Sequence, residues 1–203
     1  MGFQINKNID VIFWDFDGVL MNSNKIRDEG FVKVLAEYPE EEVDELIKFH
    51  KKNGGLSRYV KFRYFFEEIR GRDITDKEVQ QWADKFSVIM KKLLIDSSLL
   101  IDETLQYVKE NHGDKKMHIV SGSDQNELRY ICKKLDIDKY FDSIHGSPTP
   151  KNDLVNNLLQ KHHYNLKECV LVGDSINDYE AAVHNSIGFI GYNSKEVIKL
   201  TTV

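Results

Sequence analysis

Three short clusters of oxygen-bearing side chains stand out in the chain: Asp15-Phe16-Asp17-Gly18, Ser121-Gly122-Ser123-Asp124 and Gly173-Asp174-Ser175-Ile176-Asn177-Asp178. Each directly follows a short apolar run, at 11–14, 117–120 and 169–172. Ligands of parallel α/β sheets collect beyond the carboxyl ends of the strands. Four carboxylates and a hydroxyl are therefore expected at one sheet edge. Helix capping and turn formation account for a lone Asp or Ser after a strand, and Ser121 by itself reads that way. They do not account for Asp15 and Asp17, which lie two positions apart and would repel without a counter-ion. Asp174 and Asp178 are four positions apart, so both can point to one side of a first helical turn. The set calls for a cation, and oxygen ligands of this kind suit Mg²⁺ with several retained waters.

The elements that must position these groups are legible in outline. Val11-Ile12-Phe13-Trp14, Met117-His118-Ile119-Val120, Cys169-Val170-Leu171-Val172 and Ile187-Gly188-Phe189-Ile190 are near-continuous apolar runs. Such runs mark strands of a parallel sheet covered on both faces. Helical patterns fall at about 124–135, where Asp124 and Glu127 have capping-box spacing, at 151–163 and at 176–184. Strands alternating with helices predict an α/β fold with a Rossmann-like, doubly wound parallel sheet. Residues 24–94 show helical periodicity only. Val43, Leu46 and Ile47 follow Pro39, and the capping box Thr75-Asp76-Lys77-Glu78 precedes Val79, Trp82, Phe86, Ile89 and Leu93. About 70 residues is too long for a plain loop. The expected organisation is a catalytic core of 1–23 and 95–203 with an inserted all-helical domain at 24–94.

Composition narrows the function. The 203 residues are 41% hydrophobic and 30% charged, an ordinary globular balance. A net charge of −5 offers no general attraction for nucleic acid, so a phosphate-bearing ligand must be drawn in by a metal or a few placed cations. Cys132 and Cys169 read as buried, reduced thiols. The opening MGFQINKNID lacks a signal-peptide core, and Asn6 stands where a myristoylation signal has Ser or Thr. No run approaches the roughly 20 apolar residues of a membrane helix. A soluble, cytoplasmic protein without membrane or nucleic-acid partners is expected, and nothing in the sequence sets an oligomeric state.

Asp15-x-Asp17-Gly18, Ser121, Lys151 and Gly173-Asp174-Ser175-x-x-Asp178, in that order over nearly the whole chain, resemble the haloacid dehalogenase superfamily of phosphohydrolases. The match is to the phosphoglycolate phosphatase and β-phosphoglucomutase-like branch, whose helical cap lies between the first two motifs. The resemblance implies a Mg²⁺-dependent phosphatase acting on a small phosphorylated metabolite. Asp15 would be the nucleophile that forms an aspartyl-phosphate and is regenerated by water. Asp17 would be the general acid and base. Asp15, Asp174 and the backbone carbonyl of Asp17 would hold the metal, with Asp178 supporting the metal site or Lys151. Ser121, beside Gly122, would donate a hydrogen bond to the phosphoryl group, and Lys151 would neutralise both Asp15 and a phosphoryl oxygen. Counting charges, Asp17 is expected to carry a proton when substrate is bound, its pKa raised by acidic neighbours. A carboxylate at Asp17 argues against the dehalogenase and phosphonatase branches. Val19 and Asn22 depart from the Thr and Asp of many relatives.

In the insertion, Gly54-Gly55-Leu56-Ser57-Arg58 combines a tight loop, a capping Ser and a cation at a helix start. It is similar to the cap loop of β-phosphoglucomutase relatives, so Arg58 is a candidate substrate contact. A solvated basic helix face is the competing reading, and it is the preferred one for Lys61 and Arg63. His162 and His163 diverge on a helix, His118 reads as a hydrogen-bonded core residue, and no histidine is assigned a catalytic role. The alternatives are a phosphomutase on the same scaffold and a non-catalytic binding protein that kept the fold. Mutase relatives carry a histidine at a place that falls near Arg27 here, which counts against the first.

Overall fold

The computed structural model describes residues 3–203, so the Gly2 of the myristoylation comparison lies outside the described residues. Val-Ile-Phe-Trp, wholly buried, forms the central strand β1 (Val11–Trp14). It pairs in parallel with β2 (Lys116–Asp124) on one side and β4 (Cys169–Gly173) on the other. The edges are β3 (Ser143–Ser147) and β5 (Gly188–Gly191), giving the order β3-β2-β1-β4-β5 with every pairing parallel. The strand order reverses direction at β1, which is where a doubly wound sheet opens a ligand crevice.

The pleat sorts β1 between two cores. Ile12 and Trp14 join the larger apolar cluster, whereas Val11 and Phe13 face a second one with Leu154, Val155 and Leu158 of α7 (Lys151–His162) and Ala181 and Ala182 of α8 (Ile176–His184). The apolar runs are covered on both faces, as the absence of alternation predicts.

Residues 24–94 hold α1 (Asn24–Val34), α2 (Glu40–Lys52), α3 (Arg58–Tyr64) and α4 (Asp76–Leu93), with no strand among them. The Thr75–Glu78 capping box starts α4, and the Ser57 hydroxyl accepts from the Val60 N–H at the start of α3. Pro39 is the residue before α2 rather than within its first turn. A π-helical turn, Phe65–Ile69, extends α3, and the adjacent Phe65 and Phe66 are both buried there. Aromatic rings fill the space between these helices, with Phe31 of α1 and Phe86 of α4 4.4 Å apart between centroids. The chain returns to the sheet through α5 (Asp102–Asn111), α6 (Gln125–Lys134) follows β2, and α9 (Lys195–Ile198) follows β5.

Three elements differ from the sequence reading. The strand β3 was not expected, because Ser-Ile-His-Gly-Ser lacks an apolar run; pairing with β2 makes it a strand. β2 continues through Ser121-Gly122-Ser123-Asp124 with a register irregularity after Val120, where a turn was expected. Asp124 caps α6, accepting from the Glu127 N–H, but Glu127 does not reciprocate: its carboxylate is taken by two arginines. Both cysteines are buried and free. No helix among the described residues is long and apolar enough to cross a membrane.

Candidate active site

Strand register sets the site. Trp14 pairs with Ile119 on one side and with Val172 on the other, and the Asp15 N–H donates to the Val172 carbonyl at 2.9 Å. Asp15, Ser121 and Asp174 therefore leave the sheet within a residue or two of the same level. Ligand oxygens of Asp15, Asp174 and Asp178 lie within 4.8 Å of one another.

Lys151, at the start of α7, puts Nζ 2.8 Å from Asp15 Oδ1 and also pairs with Asp178 Oδ1. The other Asp178 oxygen accepts from the Ser175 N–H and hydroxyl, closing a capping box on α8. Asn24 Nδ2 donates to Asp174 Oδ2 at 3.0 Å. Gly18 has φ +77, and a Cβ there would lie 1.9 Å from Asp174 Oδ2, so only glycine lets the first motif approach the last. Burial and the neighbouring carboxylates Asp178 and Asp174 push the Asp15 pKa well above the usual range, against the pull of Lys151. Burial, then Asp178, pushes Asp174 up to about 7. One lysine does not balance three carboxylates. The all-oxygen donor set and its unbalanced negative charge fit a hard divalent cation such as Mg²⁺.

Asp17 belongs to a different network. Its Oδ2 accepts from Ser123 Oγ at 2.6 Å, and its Oδ1 accepts from Arg27 Nε at 2.9 Å and from the Ser23 hydroxyl. Burial alone would raise its pKa; the Arg27 charge and these hydrogen bonds outweigh burial and lower it to about 2. This corrects the expected direction for the protein without substrate, because the side chain answers to an arginine rather than to its acidic neighbours. Asp17 is also absent from the side-chain carboxylate cluster formed by Asp15, Asp174 and Asp178. Ser121 is buried, and its Oγ accepts from the Ser123 N–H at 3.1 Å.

The helical segment covers this edge. A Cβ on Gly122 would lie 2.4 Å from the Gly55 carbonyl oxygen, so the loop between α2 and α3 rests on the end of β2. Tyr59 Oη donates to Asp124 Oδ2 at 2.9 Å. Between cover and sheet edge lies a cavity of about 340 Å³, lined by Asp15, Asp17, Ser121, Gly122 and Asp174 from the strand ends and by Arg27, Arg58 and Lys61 from the helices. Lys151 and Asp178 stand behind that lining.

A family description, haloacid dehalogenase-like hydrolase, matches residues 11–192. The chain belongs to that family. Among curated relatives, the phosphorylated carbohydrates phosphatase of Thermotoga maritima is 22% identical over 181 residues, 86% of this chain and 80% of that protein. A haloacid dehalogenase-like family protein from Streptococcus pneumoniae superposes with a TM-score of 0.70 at 19% identity, covering 96% of this chain and 91% of that one. CbbY from Rhodobacter sphaeroides, solved with xylulose-(1,5)bisphosphate, gives 0.72 at 15% identity over 93% and 89%. These structures share the fold of this haloacid dehalogenase-like hydrolase, and the α/β architecture read from the sequence agrees with them.

One expectation about the helical segment fails, and a second residue there has a fixed partner. Lys61 was expected on a solvated face, but it is 3% exposed and lines the cavity. Arg58 is buried as well, yet Nη1 and Nη2 are both taken by the Glu127 carboxylate and Nη1 also donates to Ser87. Arg63 does sit at the surface, paired with Glu67 and Asp76. His118 is buried between Ser143 Oγ and Tyr164 Oη, as a core histidine. Sequence reasoning missed Ser23, Asn24, Arg27, Ser123 and Glu127 as site residues. Ser123 stood inside a motif already singled out; the others had no local signal.

Proposed function

We propose that this hydrolase is a Mg²⁺-dependent phosphatase of a small phosphorylated metabolite, with residues 24–94 serving as a cap over a core of 1–23 and 95–203. The observation that carries the reading is the buried Asp15 carboxylate, 2.8 Å from Lys151 and within 4.8 Å of the Asp174 and Asp178 oxygens, at the wall of the cavity beneath the helices. Asp15, Asp174 and the Asp17 backbone carbonyl would hold the ion. When bound, it would supply the positive charge that phosphoryl transfer needs.

Asp15 attacks phosphorus and carries the phosphoryl group as an aspartyl-phosphate. Lys151 holds Asp15 in place and neutralises a phosphoryl oxygen, while Asp178 holds Lys151. Ser121 donates its hydroxyl to the transferring group. Asp17 is ionised in the empty site, ready to take a proton from the hydrolytic water. To protonate the leaving alkoxide first, it must gain a proton as the anionic substrate arrives, since a nearby negative charge raises a carboxyl pKa. The cap keeps bulk water away while admitting the hydrolytic water.

Phosphate release from a generic aryl phosphate tests the reading: it should require Mg²⁺ and disappear in Asp15→Asn. Turnover that survives that substitution would remove Asp15 from the chemistry. A labelled sugar phosphate distinguishes hydrolysis, which yields inorganic phosphate, from the isomer that a phosphomutase would form.

A further inference from the structure

Not every oxygen of the carboxylate cluster is free. Asp178 has none to spare: Oδ1 pairs with Lys151, and Oδ2 accepts from the Ser175 N–H and hydroxyl. Asp15 gives Oδ1 to Lys151 at 2.8 Å. Asp174 gives Oδ2 to Asn24 Nδ2, which donates at 3.0 Å. Asp15 Oδ2 and Asp174 Oδ1 have no such partner among the described residues. The cluster therefore presents single oxygens from two residues rather than a chelating pair from one.

Lys151 and Asp178 are buried parts of the core, and Asn24 is not. It is exposed, opens α1 and lies on the cavity wall. Helix capping does not explain its contact, because Ser23 holds the cap position and gives its hydroxyl to Asp17. Stability does not explain it either: an exposed amide bonds as readily to water, so the contact adds little to folding. What the contact fixes is orientation. Asp174 Oδ2 is wedged between the Asn24 amide and Gly18, where a Cβ would lie 1.9 Å from Oδ2 and 2.9 Å from Asn24 Nδ2. Gly18 is itself held, its carbonyl accepting from Asn193 Nδ2 at 3.2 Å and its N–H donating to the Met21 carbonyl at 2.8 Å. Asp174 thus has one oxygen pinned and one free.

We infer that Asn24 is a positioning residue that sets the choice of cation: by occupying Oδ2 it holds Asp174 to one-oxygen coordination, which favours Mg²⁺ over Ca²⁺. This rests on the reading that Asp15 and Asp174 hold a divalent ion, and adds how that ion is selected. Mg²⁺ takes near-octahedral geometry with one or two carboxylates and retained waters, whereas Ca²⁺ takes about six to eight oxygens and accepts both from one carboxylate. Hydrogen-bond partners of ligating carboxylates are worth about 10–100-fold in metal affinity. Without Asn24, Asp174 is free to turn and offer both oxygens. Mg²⁺ then loses a fixed ligand, while for Ca²⁺ the second oxygen offsets the loss.

Titration calorimetry of the substrate-free protein with Mg²⁺ and with Ca²⁺ reads this without turnover. Asp174→Asn is run alongside so that heat from other sites is subtracted. Asn24→Leu and Asn24→Ala both lack the donor, and each should weaken Mg²⁺ about tenfold and Ca²⁺ less than about threefold. Thermal unfolding without metal verifies that both variants fold. A preference for Mg²⁺ that is unchanged, that rises, or that falls in only one variant overturns the inference, because damage to the fold weakens both ions alike and a packing effect differs between Leu and Ala. Mg²⁺ binding that does not depend on Asp174 at all overturns instead the metal reading beneath it.

Discussion

Asp15 is 4% exposed and Lys61 3%, at opposite ends of one cavity, yet their surroundings resolve burial in different ways. Burial disfavours both charges, raising the Asp15 pKa and lowering that of Lys61. Asp15 has a fixed partner in Lys151 and an excess of carboxylates around it; Lys61 has a peptide carbonyl and an excess of cations. The first end is short of positive charge, the second of negative charge. The difference also shows in construction. The acidic end hangs from strand termini aligned by backbone register, whereas the basic end hangs from helices tied to the core by Glu127, Tyr59 and the Gly55 loop.

The largest effect that could break this contrast is at the acidic end. Asp15→Asn should lower aryl phosphate turnover at least ~10³-fold, since the amide is a poor nucleophile. Steady-state assays with Mg²⁺ check it, and a loss under tenfold would place the chemistry elsewhere.

At the join between the ends, Glu127→Gln leaves Arg58 and Arg27 buried without their carboxylate. A cost of roughly 3–5 kcal/mol in denaturant unfolding is expected. A change below about 1 kcal/mol would mean that the two arginines do not depend on Glu127.

Metal addition sharpens the acidic end through pH. Asp174 has its pKa raised to about 7 in the folded state from 3.8, so its contribution to metal-free stability is complete below about pH 4 and fades as pH rises through 7. Mg²⁺ should therefore stabilise more at pH 8 than at pH 5, the gain at pH 8 reaching about 2.7 kcal/mol at a hundredfold excess over the Kd at that pH. Thermal unfolding at the two pH values decides it; equal shifts would detach the ion from these carboxylates.

Asp17 gives the smallest and opposite effect. Its pKa falls to about 2 from 3.8, so its stabilisation is present above about pH 4 and is lost as pH drops toward 2. Roughly 2 kcal/mol is involved, and Arg27→Gln should reduce it. Acid unfolding curves of the two proteins should converge at low pH; parallel curves would show that Arg27 does not act on Asp17.

The acidic end was legible because its parts are local. Asp15-x-Asp17-Gly18 and Gly173-Asp174-Ser175-x-x-Asp178 each follow a buried run directly, and parallel pairing of β1 with β4 does the rest. The direction of the Asp17 pKa was not legible, because the deciding charge, Arg27, lies in the next helix and reaches back only when α1 packs over the strand end. Glu127 had the spacing of a capping box and turned out to serve Arg58 and Arg27, 69 and 100 positions away.

By itself, the sequence determined the parallel α/β core, the all-helical character of 24–94 and the identity of the acidic motifs, because periodicity and strand-end position are properties of neighbouring residues. Only the tertiary structure decided that Ser143–Ser147 is an edge strand, that Lys61 faces a cavity rather than water, and that Arg58 is occupied by Glu127. A short strand takes its order from the strand it pairs with. A charged side chain on a helix reads as solvated until the packing of another element decides which side of it is dry.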